Sequence, residues 1–268
     1  MRKEGISLME VKILLDSINP YTGVRLTTLH CTYPQFIHQQ VLTHRMFSRN
    51  SSSLRAISFN RSSEEFEIVY PTWTEEKKGM QGSLVTDSDK LFSANAHIEA
   101  MYREVLERCK ILESLGIHHQ DINNYLRPFQ NIHTVITATD FENFFNQRLH
   151  ESTKPDMRRL AWLIYQALEE SEPREDDKHL PLMTDFEEDL WSYYDYTMRE
   201  YQLISAARLA RISYFKWQDD PQKDLELAKK LIENQHPSPF EHIAFAQQDD
   251  QYYANFKSWK QLRHILGV

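Results

Sequence analysis

The segment that most constrains the fold of this chain is Pro34 to Arg55, PQFIHQQVLTHRMFSRNSSSLR. Nine of its residues are Gln, His, Arg or Asn, and a run of small hydroxyls falls near its end. A core helix cannot satisfy so many polar side chains, so one face of this segment has to meet water or a ligand. His44 and Arg45 are adjacent, Ser53 follows after seven residues, and Arg55 stands two beyond it. Cationic donors, hydroxyls and free backbone N–H groups within so short a span suit a phosphate or an anionic heterocycle. The competing reading is a solvated basic helix end followed by a Ser-rich loop.

Composition narrows the choice. At 268 residues and 31.9 kDa the chain is one large domain or two small ones, and 41% apolar content supports a substantial core. With six glycines it carries neither GxGxxG nor a Walker A loop. A net charge of −8 argues against a general nucleic-acid binder, although a local basic site remains compatible with it. Cys31 and Cys109 form no CxxC and no zinc pattern, so a reduced, cytoplasmic protein is expected. Glu10 and Lys12 interrupt any signal-peptide core, and no apolar run is long enough to span a membrane.

Val11–Ile18 and Val24–Tyr33 read as strands separated by Asn19-Pro20. Pro34 then suits the opening of a helix carrying Gln39, Gln40, His44 and Arg45. Phe66–Tyr70 reads as a short strand and Pro71–Asp89 as a surface loop. Leu91–Leu115 is the clearest helix, with Ile98, Tyr102, Val105, Cys109 and Leu112 at helical spacing and Gly116 as its stop; Cys109 is a core residue of it. Asn123–Thr139 is mixed, Asp140–Leu149 a short helix, and Pro155–Glu170 a longer one. Charged, proline-containing Ser171–Leu182 reads as a linker. Thr184-x-x-Glu187 reads as a capping box for a helix through Trp191, Met198, Leu203 and Ala207. Asp224–Glu233 is another helix, and the prolines of QHPSPFEHIAF force a turn.

Four separated segments together resemble the flavin-dependent thymidylate synthase family. Thr43-His44-Arg45, seven residues, then Ser53 resembles its R-H-R-x7-S signature, with the P-x-F-x-x-x-Q lead-in present as Pro34, Phe36 and Gln40. Asn143–Leu149 (NFFNQRL) resembles its N-F-L-x-L-R box, Ala210–Tyr214 (ARISY) its A-R-V-S-F, and His236–His242 (HPSPFEH) its G-H-x-S-P-F-E-H. The order differs from the family's: the last two segments come first there. Circular permutation accounts for this, with a segment 1–170, a linker 171–183 joining the old termini, and a segment 184–268 equivalent to the family's N-terminal part.

The resemblance implies an α+β fold, a mostly antiparallel sheet flanked by long helices, assembled as a homotetramer with shared active sites. It implies transfer of a one-carbon unit from methylenetetrahydrofolate to C5 of dUMP, with FAD reduced by NADPH. Such chemistry needs a cation at the uracil edge, for which Arg148 is the candidate. It needs a phosphate cradle, for which Gln40, Ser51, Ser53 and Arg55 are candidates. The flavin positions fall on Thr43, His44, Arg45, Asn50, Asn143, Ser213 and His236. No metal is expected, since adjacent Glu241 and His242 would point to opposite faces of a strand. No cysteine adduct of the kind made by the unrelated classical thymidylate synthases is expected at His30-Cys31. The chain departs from the family at Thr43, Ser51, Ala56 and Thr139, and a substrate-contacting Arg falls near Asn123 or Asn124. These losses keep open hydroxymethylation of dUMP, modification of dCMP, or a non-catalytic flavin- or nucleotide-binding homologue. Arg263 or Lys260 of the tail is a candidate replacement cation; the same tail also reads as an amphipathic terminal helix packing Trp259 and Leu262.

Overall fold

The computed structural model describes residues 9–53, 55, 57–64, 67–78, 82–183, 196–212 and 220–268. Strands β1 (Glu10–Ile18) and β2 (Arg25–Pro34) pair antiparallel through a turn in which Asn19 Oδ1 accepts from the amides of Tyr21 and Thr22. Gly23 closes that turn at φ +72, a conformation that glycine adopts without steric cost. β4 (Asn131–Ala138) lies antiparallel on the other side of β2, and β3 (Ser48–Ser51) pairs with β4 at the sheet edge. β5 (Arg174–Glu175) adds a short parallel strand to β1, so the order is β3-β4-β2-β1-β5. β6 (Lys178–His179) and β7 (Ala244–Ala246) begin a second sheet; after a hairpin of β8 (Tyr252–Tyr253) and β9 (Phe256–Lys257), β10 (Trp259–Gln261) completes it.

Strand alternation assigns each face of the large sheet. Leu29, Cys31, Tyr33, Ile136 and Ala138 form one core with Met157, Leu160, Ala161 and Ile164 of helix α6 (Pro155–Glu170). On the opposite face Val135 packs with helix α7 (Met198–Arg211), helix α8 (Pro221–Glu233) and Phe240. Polar neighbours on that second face form a buried chain. Ser17 Oγ meets His179 Nδ1 (2.8 Å), His179 Nε2 meets Thr28 Oγ1 (2.7 Å), Thr28 meets Thr137 (2.7 Å), and Thr137 Oγ1 meets His242 Nδ1 (2.7 Å). Burial pushes both imidazoles down to about 3, so they stay neutral. This chain ties β1, β2 and β4 to β6 and to the last residue of HPSPFEH.

Several local expectations change. The helix opened after Pro34 is a 3₁₀ turn, Gln35–Ile37, followed by the short α1 (His38–Leu42); His44 and Arg45 lie beyond it, and the expected Ser-rich loop begins as β3. Arg49 explains the early stop, because its Nη1 donates to the carbonyls of Val41 and His44 at the helix end. Glu67–Tyr70 has no regular structure, although Val69 N–H donates to Phe129 O, and Phe66 lies outside the described residues. Asn123–Thr139 contains the 3₁₀ turns Asn123–Tyr125 and Arg127–Phe129 and then the central strand β4. The expected linker contributes β5 and β6 and buries His179 and Leu180. Thr184–Glu187 and Trp191 lie outside the described residues; the observed capping box is Thr197–Glu200 at the start of α7.

The helices expected over Leu91–Leu115, Asp140–Leu149, Pro155–Glu170 and Asp224–Glu233 form, and two short ones are added to them. Helix α2 (Phe59–Glu64) precedes the long α3 (Ser88–Ser114), which is capped by Asp87 and stopped at Gly116, φ +79. Tyr102 and Cys109 are its buried residues, packed with Phe59, Ile122 and Leu126; Ile122 belongs to the short α4 (His119–Ile122). Helix α5 (Glu142–Arg148) follows β4. Among the described residues no helix is long and apolar enough to cross a membrane. The fold is α+β, a mostly antiparallel sheet flanked by helices.

Candidate active site

Residues far apart in sequence meet around Arg148. Helix α5 ends on this side chain, whose Nε donates to His44 Nε2 at 2.9 Å. Its Nη2 donates to Thr43 Oγ1 (3.0 Å) and to Gln40 O (3.4 Å). Edge-to-face packing with Phe144 (centroids 4.9 Å apart) and contact with Phe47 hold the His44 ring. Burial, then the positive charges of Arg148 and Arg49, push His44 down to about 4. His44 is therefore a neutral acceptor that orients the guanidinium, and the exposed Thr43 gives Arg148 a hydroxyl contact.

The C-terminal segments close over the same region. Asn50 Nδ2 donates to Leu209 O at the end of α7 (3.0 Å), and Ser238 Oγ of HPSPFEH donates to Arg49 O (3.2 Å). Arg211, the Arg of ARISY, instead ion-pairs with buried Asp224 (2.7 Å), which Arg208 also contacts (3.3 Å). Tail residue Asn255 donates to Met46 O (3.0 Å), and Gln261 to Ser48 Oγ (2.9 Å). Four of the segments singled out in the sequence thus border one another.

A cleft of about 120 Å³ opens beside the end of β3. Ser51, Ser52 and Ser53 line one side, Arg127 and His38 another. Carboxamides of Gln35, Gln130 and Asn131 complete its polar rim. His38 Nδ1 lies 3.0 Å from Tyr33 Oη, which donates to Thr134 Oγ1 (2.9 Å), and Ser51 Oγ meets the same Thr134 oxygen (3.0 Å). Burial, helped by Arg49 and Arg127, pushes His38 down to about 4.

Of the expected residues, the structure brings together Gln40, Thr43, His44 and Arg148, and sets Ser51 and Ser53 on the cleft. Arg45, Arg55, Asn143 and His236 are exposed; Asn143 Oδ1 accepts from Gln147 (3.2 Å) and Arg55 N–H donates to Ser53 Oγ (3.3 Å). Ser213, Tyr214 and Ala56 lie outside the described residues. Asn123 is not a ligand contact: it is fully buried and donates to Ile57 O (2.9 Å). Arg263 is not free to serve as a replacement cation, because it ion-pairs with Glu241. Glu241 and His242 sit at the end of a 3₁₀ turn rather than in a strand, and they do turn to different partners, Arg263 and Thr137. Trp259 and Leu262 are both fully buried, the first in β10 and the second opening a five-residue terminal helix, Leu262–Leu266. Cys31 is fully buried, and burial pushes its thiol far above the ordinary range, against any nucleophilic role. Among the described residues no cluster of three or more His, Cys, Asp or Glu is arranged to hold a metal.

Sequence reasoning missed His38 and Arg127. The weak signal for Arg127 was its place just before Pro128, near the position where the resemblance calls for a substrate-contacting Arg. His38 carried none, since only the fold brings its ring to Tyr33 and the cleft.

The fold and the site define an α+β protein with a basic, hydroxyl-lined cleft at a sheet edge. Residues 25–174, more than half of the chain, match the family described as thymidylate synthase complementing protein, and the chain belongs to that family. A curated relative, the flavin-dependent thymidylate synthase of Kosmotoga olearia, is 27% identical over 139 residues, covering 50% of this chain and 59% of the relative. The chain thus matches somewhat over half of that relative's length. Among solved structures, the UMP/dUMP methylase PolB from Streptomyces cacaoi bound with 5-Br UMP is similar with a TM-score of 0.50 and 15% identity, over 63% of this chain and 92% of that one. Its complex with 5-Br dUMP gives a TM-score of 0.50 and 14% identity, over 62% and 92%. At these identities the likeness is one of fold.

Proposed function

We propose that this chain is a flavin-dependent thymidylate synthase-like enzyme that transfers a one-carbon unit from methylenetetrahydrofolate to C5 of dUMP, with FAD reduced by NADPH. The observation that carries the reading is the Arg148–His44 hydrogen bond, which joins the NFFNQRL box to the T-H-R-x7-S segment across 104 positions. A neutral His44 accepts from Nε and fixes the plane of the guanidinium. Arg148 is then the group that would stabilise negative charge developing on the uracil edge when C5 acts as nucleophile. Arg148 is half-buried and has lost part of its hydration, which strengthens its pull on an anionic ring.

The residues present fit a flavin nucleotide by their donor chemistry. Arg45, Asn143 and His236 are exposed, and they offer a guanidinium, a carboxamide and an imidazole, groups suited to a pyrophosphate and a ring edge. With Thr43, His44, Asn50 and Ser213 they would hold the cofactor. When bound, FAD supplies the hydride that completes the methyl group. Circular permutation is part of the proposal: HPSPFEH lies outside the matched stretch 25–174, yet it packs on β3 through Ser238. Shared active sites in a homotetramer accord with so many cofactor donors standing on the surface.

A second reading, a hydroxymethylating or ribonucleotide-accepting variant, is favoured by neutral Ser51 and Thr43 at positions where the resemblance expects charge. The experiment is turnover of purified protein with dUMP, UMP or dCMP, methylenetetrahydrofolate and NADPH, the product weighed by mass spectrometry. Oxidised-flavin absorbance and a gain of one methylene from dUMP are expected. A flavin-free protein without turnover overturns the enzyme reading, and a product heavier by a further oxygen selects the second.

A further inference from the structure

The T-H-R-x7-S spacing leaves seven positions open, and one of them, Arg49, holds the turn that carries His44. Arg49 lies on the edge strand β3, opposite Ile136 of β4. Its Nη1 donates to Val41 O (3.2 Å) and to His44 O (3.3 Å). Arg148 grips the same turn from α5, through Gln40 O and Thr43 Oγ1. Two guanidinium groups from different elements thus clamp the end of α1, where carbonyls lack intrahelical donors. Arg49 is half-buried and pairs with no carboxylate among the described residues. Glu241, whose charge reaches it, is bound to Arg263. The positive charge of Arg49 therefore still acts on the His44 ring.

That charge matters because the contact between His44 and Arg148 has a direction. Arg148 Nε–H donates to His44 Nε2, so Nε2 must offer a lone pair. A proton on Nε2 would face a guanidinium N–H, and the contact would be lost. The ring is buried between Phe47 and Phe144, which carry no charge. The cations facing it are Arg148 from α5 and Arg49 from β3, and after burial these two hold it at about 4. Arg148 is the group being oriented; Arg49 is the cation without that role.

We infer that Arg49 is a positioning residue for Arg148: it bonds the carbonyls at the end of α1, sets a positive charge beside the His44 ring, and so keeps His44 an acceptor that fixes the guanidinium in one orientation. The effect on turnover rests on the proposed function; the effect on His44 rests on the geometry alone.

The test has two readouts on the full chain, R49Q and R49K, with far-UV circular dichroism to establish folding. The first is the titration of His44 followed by NMR on histidine labelled at Cε1, its signal identified by its loss in H44N. The second is the pH profile of dUMP turnover. In R49Q the His44 titration is expected to move up by about one unit, since a like charge is gone. The acid limb of kcat is expected to move up with it. R49K keeps the charge and loses the fork. It is expected to leave the His44 titration in place and to lower turnover by roughly 3- to 10-fold at every pH. An unmoved His44 titration in folded R49Q, or a turnover loss in R49Q that is the same at every pH, overturns the assignment, because a merely structural arginine would give that result. If R49Q does not fold, R49K decides: a His44 titration that moves up despite the retained charge overturns it, and an unmoved one with reduced turnover upholds it. Absence of turnover in the parent protein removes the proposed function and leaves the His44 titration to decide the role of Arg49.

Discussion

At the residue scale the site turns on a division of labour between two side chains. His44 stays uncharged because it is buried beside two guanidinium groups, and Arg148 holds its charge where His44 and Thr43 aim it. Arg148→Gln is therefore expected to lower dUMP turnover by about 10²-fold or more, with flavin content and circular dichroism unchanged; steady-state kinetics checks it. The seven-residue spacing from Arg45 to Ser53 was legible because such a motif is local. The partner of Arg148 was not, since it lies 104 positions away and only folding sets the imidazole and the guanidinium at bonding distance.

At the element scale the two sequence halves are joined by a polar seam. Thr28 and Thr137, neighbours on β2 and β4, carry His179 of β6 at one end and His242 at the other. Thr137→Val keeps the shape but strips His242 Nδ1 and Thr28 of a buried partner, and a loss of about 1–3 kcal/mol is expected. Urea unfolding with an unchanged slope would read it. At the start of α7 Thr197 accepts from Glu200 N–H (3.3 Å) while Glu200 bonds back to Thr197 N–H (2.7 Å). Thr197→Ala is expected to cost about 1 kcal/mol by the same measurement. The sequence marked helices well where a cap, a proline and an apolar period agreed, as over Pro155–Glu170. It failed for β4, where Thr and His are interspersed among Val and Ile without a period of two on a strand buried on both faces, a pattern that periodicity does not separate from mixed structure.

At the scale of the whole molecule, the imidazoles that folding holds neutral set the acid limit. His38, His44 and His133 sit at about 4, and His179 and His242 at about 3, all below the ordinary 6.5. The unfolded chain then binds more protons than the folded one from about pH 6.5 downward. The stability these groups contribute is complete above that value and lost as the pH falls toward 4. A urea midpoint that drops steeply between about pH 7 and about pH 5 is the expected result. The tail matters at the same scale. Phe256, Trp259 and Leu262 are fully buried, so truncation after Asn255 is expected to abolish the cooperative unfolding transition rather than remove a ligand contact alone.

The sequence by itself determined the reaction class to which this chain bears likeness, the main helices and the antiparallel strand pair, because those rest on local spacing, caps and periodicity. Only the tertiary structure decided which side chains are free to bind. It committed Arg263 to Glu241 and Arg211 to Asp224, buried Asn123, and set Arg127 in a cleft with His38 and Ser51–Ser53. The physical reason is that an arginine paired to a carboxylate has its charge answered within the fold, and partners at long sequence separation cannot be counted along a chain.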